Sequence, residues 1–222
     1  MPIEHDPQVA PATRRSIDER AVGLPFDDDA DFDDATRGFV ARSETRQIRA
    51  DDGRVVWDLD AYRFLDGPCP PSAHPSLWRQ GKLLIEDGLF EVTDGIYQVR
   101  GYDLSVMSVI EGDTGVIVID PLISRETAAA AFALYQEHRG PRPVTGMIYT
   151  HSHADHFGGV KGIISDEDVT SGRVPVIAPE GFLEHAVAEN VFAGTAMTRR
   201  AAYMYGASLD KGPAGQIGAG LG

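Results

Sequence analysis

A mixed α/β (α+β) domain is what this sequence predicts, and three observations predict it. Between residues 89 and 119, short runs rich in β-branched and aromatic residues alternate with Gly-bearing turns. One stretch, Arg125 to Arg139, has the composition and both end signals of a helix. A further apolar strand then runs directly into His151-Ser152-His153-Ala154-Asp155-His156.

Taken in order, residues 1 to about 50 are polar, charged and weakly periodic. They predict an acidic, partly disordered leader, helical near Asp34-Ala35-Thr36-Arg37, with the folded domain occupying 51–222. Arg54 to Leu59 predicts a short strand, and Ser76 to Leu84 a helix that stops at Asp87-Gly88. Trp57 and Trp78 are expected to be core or cover residues. Leu89–Val92, Ile96–Arg100, Ser105–Ile110 and Val116–Ile119 then form a meander, broken at Asp94-Gly95, Gly101 and Gly112-Asp113-Thr114-Gly115. Ser124 is placed to cap the helix at 125–139, and Gly140-Pro141 to end it. Strands at Gly146–Tyr149 and Val174–Ile177 follow, with helices near 181–190 and 196–205. No internal repeat is visible.

The formal charge is −14, from 34 acids against 20 Lys and Arg. Neutralising phosphates needs a basic face, so this balance argues against nucleic acid as a partner. The run Asp27-Asp28-Asp29 with Asp31, Asp33 and Asp34 lacks the Gly and terminal Glu of a calcium loop and is expected to be solvated. Cys69 is the only cysteine; flanked by Pro68, Pro70 and Pro71, it reads as a loop residue, not a nucleophile. Met1 to Asp6 shows no basic-then-apolar signal pattern and no apolar run reaches a membrane span, so the expectation is a soluble cytoplasmic protein.

The chemistry concentrates in residues 151–156, where four strong metal ligands fall within six positions. Alternate side chains of an extended segment share a side, so His151 and His153 can hold one metal while the following turn carries Asp155 and His156 to a second. Imidazole and carboxylate suit zinc and also accept iron or manganese. Phe157-Gly158-Gly159-Val160 is expected to pass close to the metals and turn away. Asp120 ends a buried strand just before Pro121, where its carboxylate can accept the free N–H of a ligand histidine and fix that ring. His185, the one histidine after His156, is expected on a helix surface; with Glu180, Glu184 or Glu189 it is the alternative source of further ligands.

With strands, Asp120, a helix, a strand and then this motif in order, the chain resembles the metallo-β-lactamase superfamily. The segments His74–Gln80, Tyr97–Ser105, Glu111–Gly115, Tyr149–Val160, Ala178–Phe182 and Ala196–Gly206 are similar to its alkyl sulfatases, and Gly215–Gly222 resembles an internal stretch of them. The resemblance implies an αβ/βα sandwich of which only the N-terminal half is present. It also implies two Zn2+ per complete site, held by His151, His153, Asp155 and His156, with Asp155 essential to catalysis, and a small alkyl sulfate such as dodecyl sulfate as substrate. Those enzymes add ligands downstream, a dimerisation region and a lipid-carrier-like domain. A homodimer is therefore expected only of a full-length parent, and this chain is expected to be an incomplete, inactive fragment. Arg199 and Arg200 are candidates to bind sulfate, although neighbours about 100° apart on a helix place at most one toward the site. Two other readings share the motif: a related hydrolase of thioesters, lactones or β-lactams, and a non-catalytic metal-binding fragment.

Overall fold

The computed structural model describes residues 9–218. The predictions resting on Met1–Asp6 and on the last residues of Gly215–Gly222 lie outside that range. The frame is a seven-stranded sheet in the order β1-β4-β5-β6-β7-β8-β9, comprising β1 (Phe39–Ala41), β4 (Gly88–Thr93), β5 (Ile96–Arg100), β6 (Met107–Glu111), β7 (Val116–Ile119), β8 (Val144–Ile148) and β9 (Val176–Ile177). From β1 to β7 neighbours are antiparallel; β7, β8 and β9 are parallel. A separate antiparallel pair joins β2 (Gln47–Arg49) to β3 (Val55–Asp58).

Alternation along the strands sets the layers. Tyr97, Val99, Met107, Val109, Val116, Val118 and Met147 point to one face and are buried. That face is covered by α4 (Arg125–Arg139), whose Ala128, Ala131, Phe132, Leu134 and Tyr135 form one apolar stripe. Ser124 caps α4 by a reciprocal box with Thr127, and Gly140 ends it at φ 82°. On the opposite face Ile96, Ile110 and Ile117 are in register, as are Ile119, Ile148 and Ile177, and they stay half-buried or exposed. The main buried layer therefore lies between the sheet and α4.

Residues 9–50 are more ordered than a solvated leader. Helix α1 spans Pro11–Ala21 and α2 Ala30–Thr36. Arg79 of α3 (Pro75–Leu84) binds Asp31 at 2.6 Å and the Asp28 carbonyl at 2.6 Å, and stacks over Phe32. β1 pairs with β4 and β2 with β3, so a domain boundary near residue 50 would cut through both sheets. These strands escape sequence reading because they are three residues long and owe their place to their partners.

Trp57 covers the main core and Trp78 is buried in a second small one with Leu65 and Ala73, and both satisfy their ring N–H groups: Trp57 donates to Gly101 O at 2.8 Å and Trp78 to Gly67 O at 3.1 Å. Cys69 is exposed in its Pro-rich loop. No helix among the described residues is long and apolar enough to cross a membrane.

At the far end of β6, Glu111 accepts from Tyr135 (2.8 Å) and from Arg139 Nε and Nη2 (3.0 and 3.2 Å). The Arg139 hydrogen bonds, ahead of the opposing cost of burial, hold its carboxyl below the usual glutamate range. A depressed folded-state pKa means stability present above the unfolded value and lost as pH falls through the folded one. Glu111→Gln is therefore expected to be less stable than the parent at neutral pH, with the gap closing below about pH 4.5, the usual glutamate value. Urea titrations of both proteins from pH 7 to pH 3 check it; a gap that persists in acid would assign the loss to packing.

Candidate metal centre

The parallel strands deliver the candidate residues to one end of the sheet. β7 ends at Asp120, β8 ends at Tyr149-Thr150-His151, and a 3-10 turn, Ala154–His156, carries Asp155 and His156 back over the strand ends. Asp120 is 7% exposed and sits at φ 55°, and Leu122 two residues on is fully buried at φ 64°. A left-handed backbone costs an ordinary residue about 1–2 kcal/mol, less for Asp than for Leu. Here it reverses the chain so that the Asp120 carboxylate faces β8.

That carboxylate is fully engaged. Thr150 N–H donates to Oδ1 at 2.8 Å, the Thr150 hydroxyl to Oδ2 at 2.7 Å, and His156 Nδ1 lies 2.8 Å from Oδ2. A carboxylate only accepts, so His156 carries its proton on Nδ1, leaving Nε2 free and 3.4 Å from Asp155 Oδ2. Thr150 spends its proton on Asp120, so its oxygen accepts from His151 Nδ1 at 2.9 Å and His151 Nε2 is the free nitrogen. This Nε2 faces His153 Nδ1 at 3.0 Å. On the other side of the ring, His153 Nε2 meets Glu189 Oε1 at 3.2 Å. Burial, then the neighbouring His156 and His153, lower the His151 pKa, which favours the neutral ring that binds metals.

The donors thus come as two pairs, His151 with His153 and His156 with Asp155. Tetrahedral zinc with Zn–N of ~2.0–2.1 Å has donor-to-donor edges of about 3.3–3.4 Å, close to both separations. Among the described residues no three His, Cys, Asp or Glu converge on one point.

Asp103, unremarked in the sequence, is the second organiser. It is 6% exposed and accepts from Ser105 N–H (3.0 Å), Ile123 N–H (2.9 Å) and the Thr127 hydroxyl (2.8 Å). The Ser105 hydroxyl in turn donates to the Asp155 carbonyl at 2.5 Å, fixing the backbone of the Ala154–His156 turn. Its signal was the Asp-x-Ser pattern of an Asx turn. Thr150 could have been found from its place between strand end and first histidine.

Gly158 and Gly159 do make a close approach, but not toward the histidines. A Cβ at Gly159 would stand 2.2 Å from Pro121 O, and one at Gly158 2.3 Å from Ile123 O. The glycines press the Ala154–His156 turn onto the Asp120 loop, backbone to backbone, with Gly159 N–H donating to Leu122 O at 2.8 Å.

These groups floor an open cleft of about 650 Å³. Its wall is apolar: Leu104, Val106, Ile123, and Met197 with Tyr205 from α7 (Gly194–Tyr205). Arg199 and Arg200 are exposed and neither lines the cleft, which α7 enters through Met197 and Tyr205. His185, Glu180 and Glu184 are also exposed and outside the lining; Glu189 turns in.

A sequence model of the metallo-beta-lactamase superfamily matches residues 100–218. The chain belongs to the metallo-beta-lactamase superfamily. Use of divalent metal goes with that membership. Within it, a linear primary-alkylsulfatase of Pseudomonas sp is 54% identical over 213 residues, which are 95% of this chain and 32% of the relative. The alkyl/aryl-sulfatase BDS1 of Saccharomyces cerevisiae is 48% identical over 96% of this chain and 33% of its own length. The solved structure of the stereoselective inverting sec-alkylsulfatase Pisa1 from Pseudomonas sp. superposes with a TM-score of 0.88 at 47% identity, over 95% of this chain and 33% of that one. The chain spans about a third of the length of these metallo-beta-lactamase relatives.

Proposed function

We propose that this chain carries the first metal-binding segment of an alkyl sulfatase, which hydrolyses sulfate esters of alkyl alcohols such as dodecyl sulfate at a pair of zinc ions. The observation that carries it is the facing of His151 Nε2 and His153 Nδ1 at 3.0 Å. With the outer nitrogen of His151 hydrogen-bonded to Thr150 and that of His153 drawn toward the Glu189 carboxylate, the inner nitrogens set two lone pairs against each other, an arrangement that a cation between them relieves. His156 Nε2 and Asp155 Oδ2 offer the second pair.

Bound there, zinc would supply Lewis acidity and a water whose pKa is lowered to about 7. The chain's own part is orientation. Asp120 holds the His156 ring and, through Thr150, the His151 ring. Asp103 and Ser105 hold the Asp155 backbone. Leu104, Val106, Ile123, Met197 and Tyr205 give the alkyl chain an apolar wall. Lys and Arg are absent from the described lining, so the sulfate charge falls to the metals to neutralise. The names of the relatives support the substrate class.

The 222-residue chain by itself is expected to bind zinc weakly and not to turn over, since its donors come in pairs and a catalytic zinc takes three protein ligands. Native mass spectrometry for zinc and an assay for sulfate release check this; two tightly held zinc ions with turnover would show the site to be complete. The substrate class is tested on the full-length protein that carries this chain. Sulfate release from dodecyl sulfate is the expected result, and thioester or β-lactam cleavage without sulfate release would overturn it.

A further inference from the structure

We propose that Glu189 is a positioning residue for His153: it holds the outer nitrogen of that ring so that Nδ1 is the nitrogen presented to a metal. The inference rests on the reading of His151 and His153 as a metal-binding pair. All three histidines of the cleft have one nitrogen turned inward and an oxygen behind the other, hydrogen-bonded in His151 and His156 and in electrostatic contact in His153. His156 has Asp120 at 2.8 Å and His151 has Thr150 at 2.9 Å. For His153 the oxygen nearest Nε2 is Glu189 Oε1, a 3.2 Å ion-pair contact that lacks the alignment of a hydrogen bond. A carboxylate cannot donate, so this partner selects the Nε2–H form and leaves the Nδ1 lone pair facing His151.

The route by which Glu189 arrives is unlike that of the other two partners. Asp120 and Thr150 are fixed at the ends of adjacent strands, whereas Glu189 lies 36 residues beyond His153 on a π-helical turn, Ala188–Phe192, that follows α6 (Phe182–Val187). A π turn carries an extra residue and shifts the phase of the side chains after it, a device found often at functional sites. Here the neighbouring Val191 and Phe192 are left exposed while Glu189 and Asn190 line the cleft. The Asn190 amide donates to Ala186 O at 2.8 Å, bracing the turn. His153 itself is more than half exposed; its ring meets His151 edge-on on the inner side, and Glu189 is the contact on the outer side. Outer carboxylates of this kind typically affect metal affinity by about 10–100-fold.

The test compares the unaltered chain with Glu189→Ala and Glu189→Gln, each checked for an unchanged circular dichroism spectrum. Zinc affinity is measured by competition with a chromophoric chelator, and the His153 tautomer in metal-free protein by long-range proton–nitrogen NMR. Glu189→Ala should weaken zinc binding about 10–100-fold and lose the Nε2–H preference. Glu189→Gln should recover most of both, because its amide oxygen still accepts the N–H. Unchanged affinity in Glu189→Ala, or an Nδ1–H form in the unaltered chain, overturns the assignment. So does a Glu189→Gln loss as large as that of Glu189→Ala, which would make Glu189 a direct ligand. Absence of zinc binding in the unaltered chain overturns the metal reading of the site itself, and is distinguishable because it precedes any effect of the variants.

Discussion

Asp155→Ala is expected to lower sulfate-ester hydrolysis by the full-length protein about 10³-fold or more, and Asp120→Asn about 10–100-fold. The difference follows from what each carboxylate touches. Asp155 Oδ2 is one of two donors in its pair, while its backbone carbonyl is held independently by Ser105 at 2.5 Å, so the Ala variant removes the donor without moving the turn. Asp120 stands behind the rings. Asn at that position can still accept from Thr150 N–H, but its NH2 group confronts His156 Nδ1 and the Thr150 hydroxyl, both of which now donate. Both rings then lose the bond that sets their free nitrogen, yet all four donors remain. Initial rates of sulfate release, with bound zinc measured alongside, check the pair; equal losses at the two positions would show that Asp120 acts on the metal directly.

The largest effect on stability is expected at Asp87, away from the cleft. This carboxylate is 2% exposed and accepts two bonds from Arg46 (2.8 and 2.7 Å) and one from Arg63 (2.9 Å), while Arg42 donates to its carbonyl at 3.2 Å. It ties the segment before β2 and the 3-10 turn Arg63–Asp66 to the start of β4. Removing one partner of a buried ion pair typically costs about 3–5 kcal/mol. Asp87→Ala is expected near the lower end, about 3 kcal/mol, because the arginines are partly solvated and keep Asp60, Asp66 and Glu86. A urea midpoint shift measures it, and hydrogen exchange should show the β2–β3 pair losing protection first. A shift near zero would mean the arginines resolvate without consequence.

Legibility of the fold in the sequence followed the density of local signals. From Leu89 to Arg139 nearly every boundary carries its own punctuation, Asp94-Gly95, Gly112 to Gly115, Ser124 or Gly140, and the strands and α4 fall where those residues put them. β1 and β2 carry no such marks: Phe39–Ala41 and Gln47–Arg49 are strands because β4 and β3 offer them an edge, which is tertiary information. In the cleft, the spacing of His151, His153, Asp155 and His156 is a local signal and the structure does bring them together. Asp120 was legible as a strand-end carboxylate. Glu189 was legible only as one of several acids downstream, since its approach to His153 depends on a π turn that the sequence does not announce. Arg199 and Arg200 carry chemistry that suits an anion, but they lie outside the described lining of the cleft, which α7 enters through Met197 and Tyr205.

The polarity of the three parallel strands leaves the molecule with a quiet end. Every connection into β8 and β9 enters opposite the cleft, through Gly140–Arg142 and Ser171–Arg173, where the chain is largely exposed and Gly140 and Gly172 have no neighbour within 4 Å of a would-be Cβ. Such loops are where inserted sequence is best tolerated. A fluorophore, affinity tag or surface tether placed there would sit beyond the length of the sheet from the imidazoles, so the protein can be labelled or immobilised with the cleft facing outward.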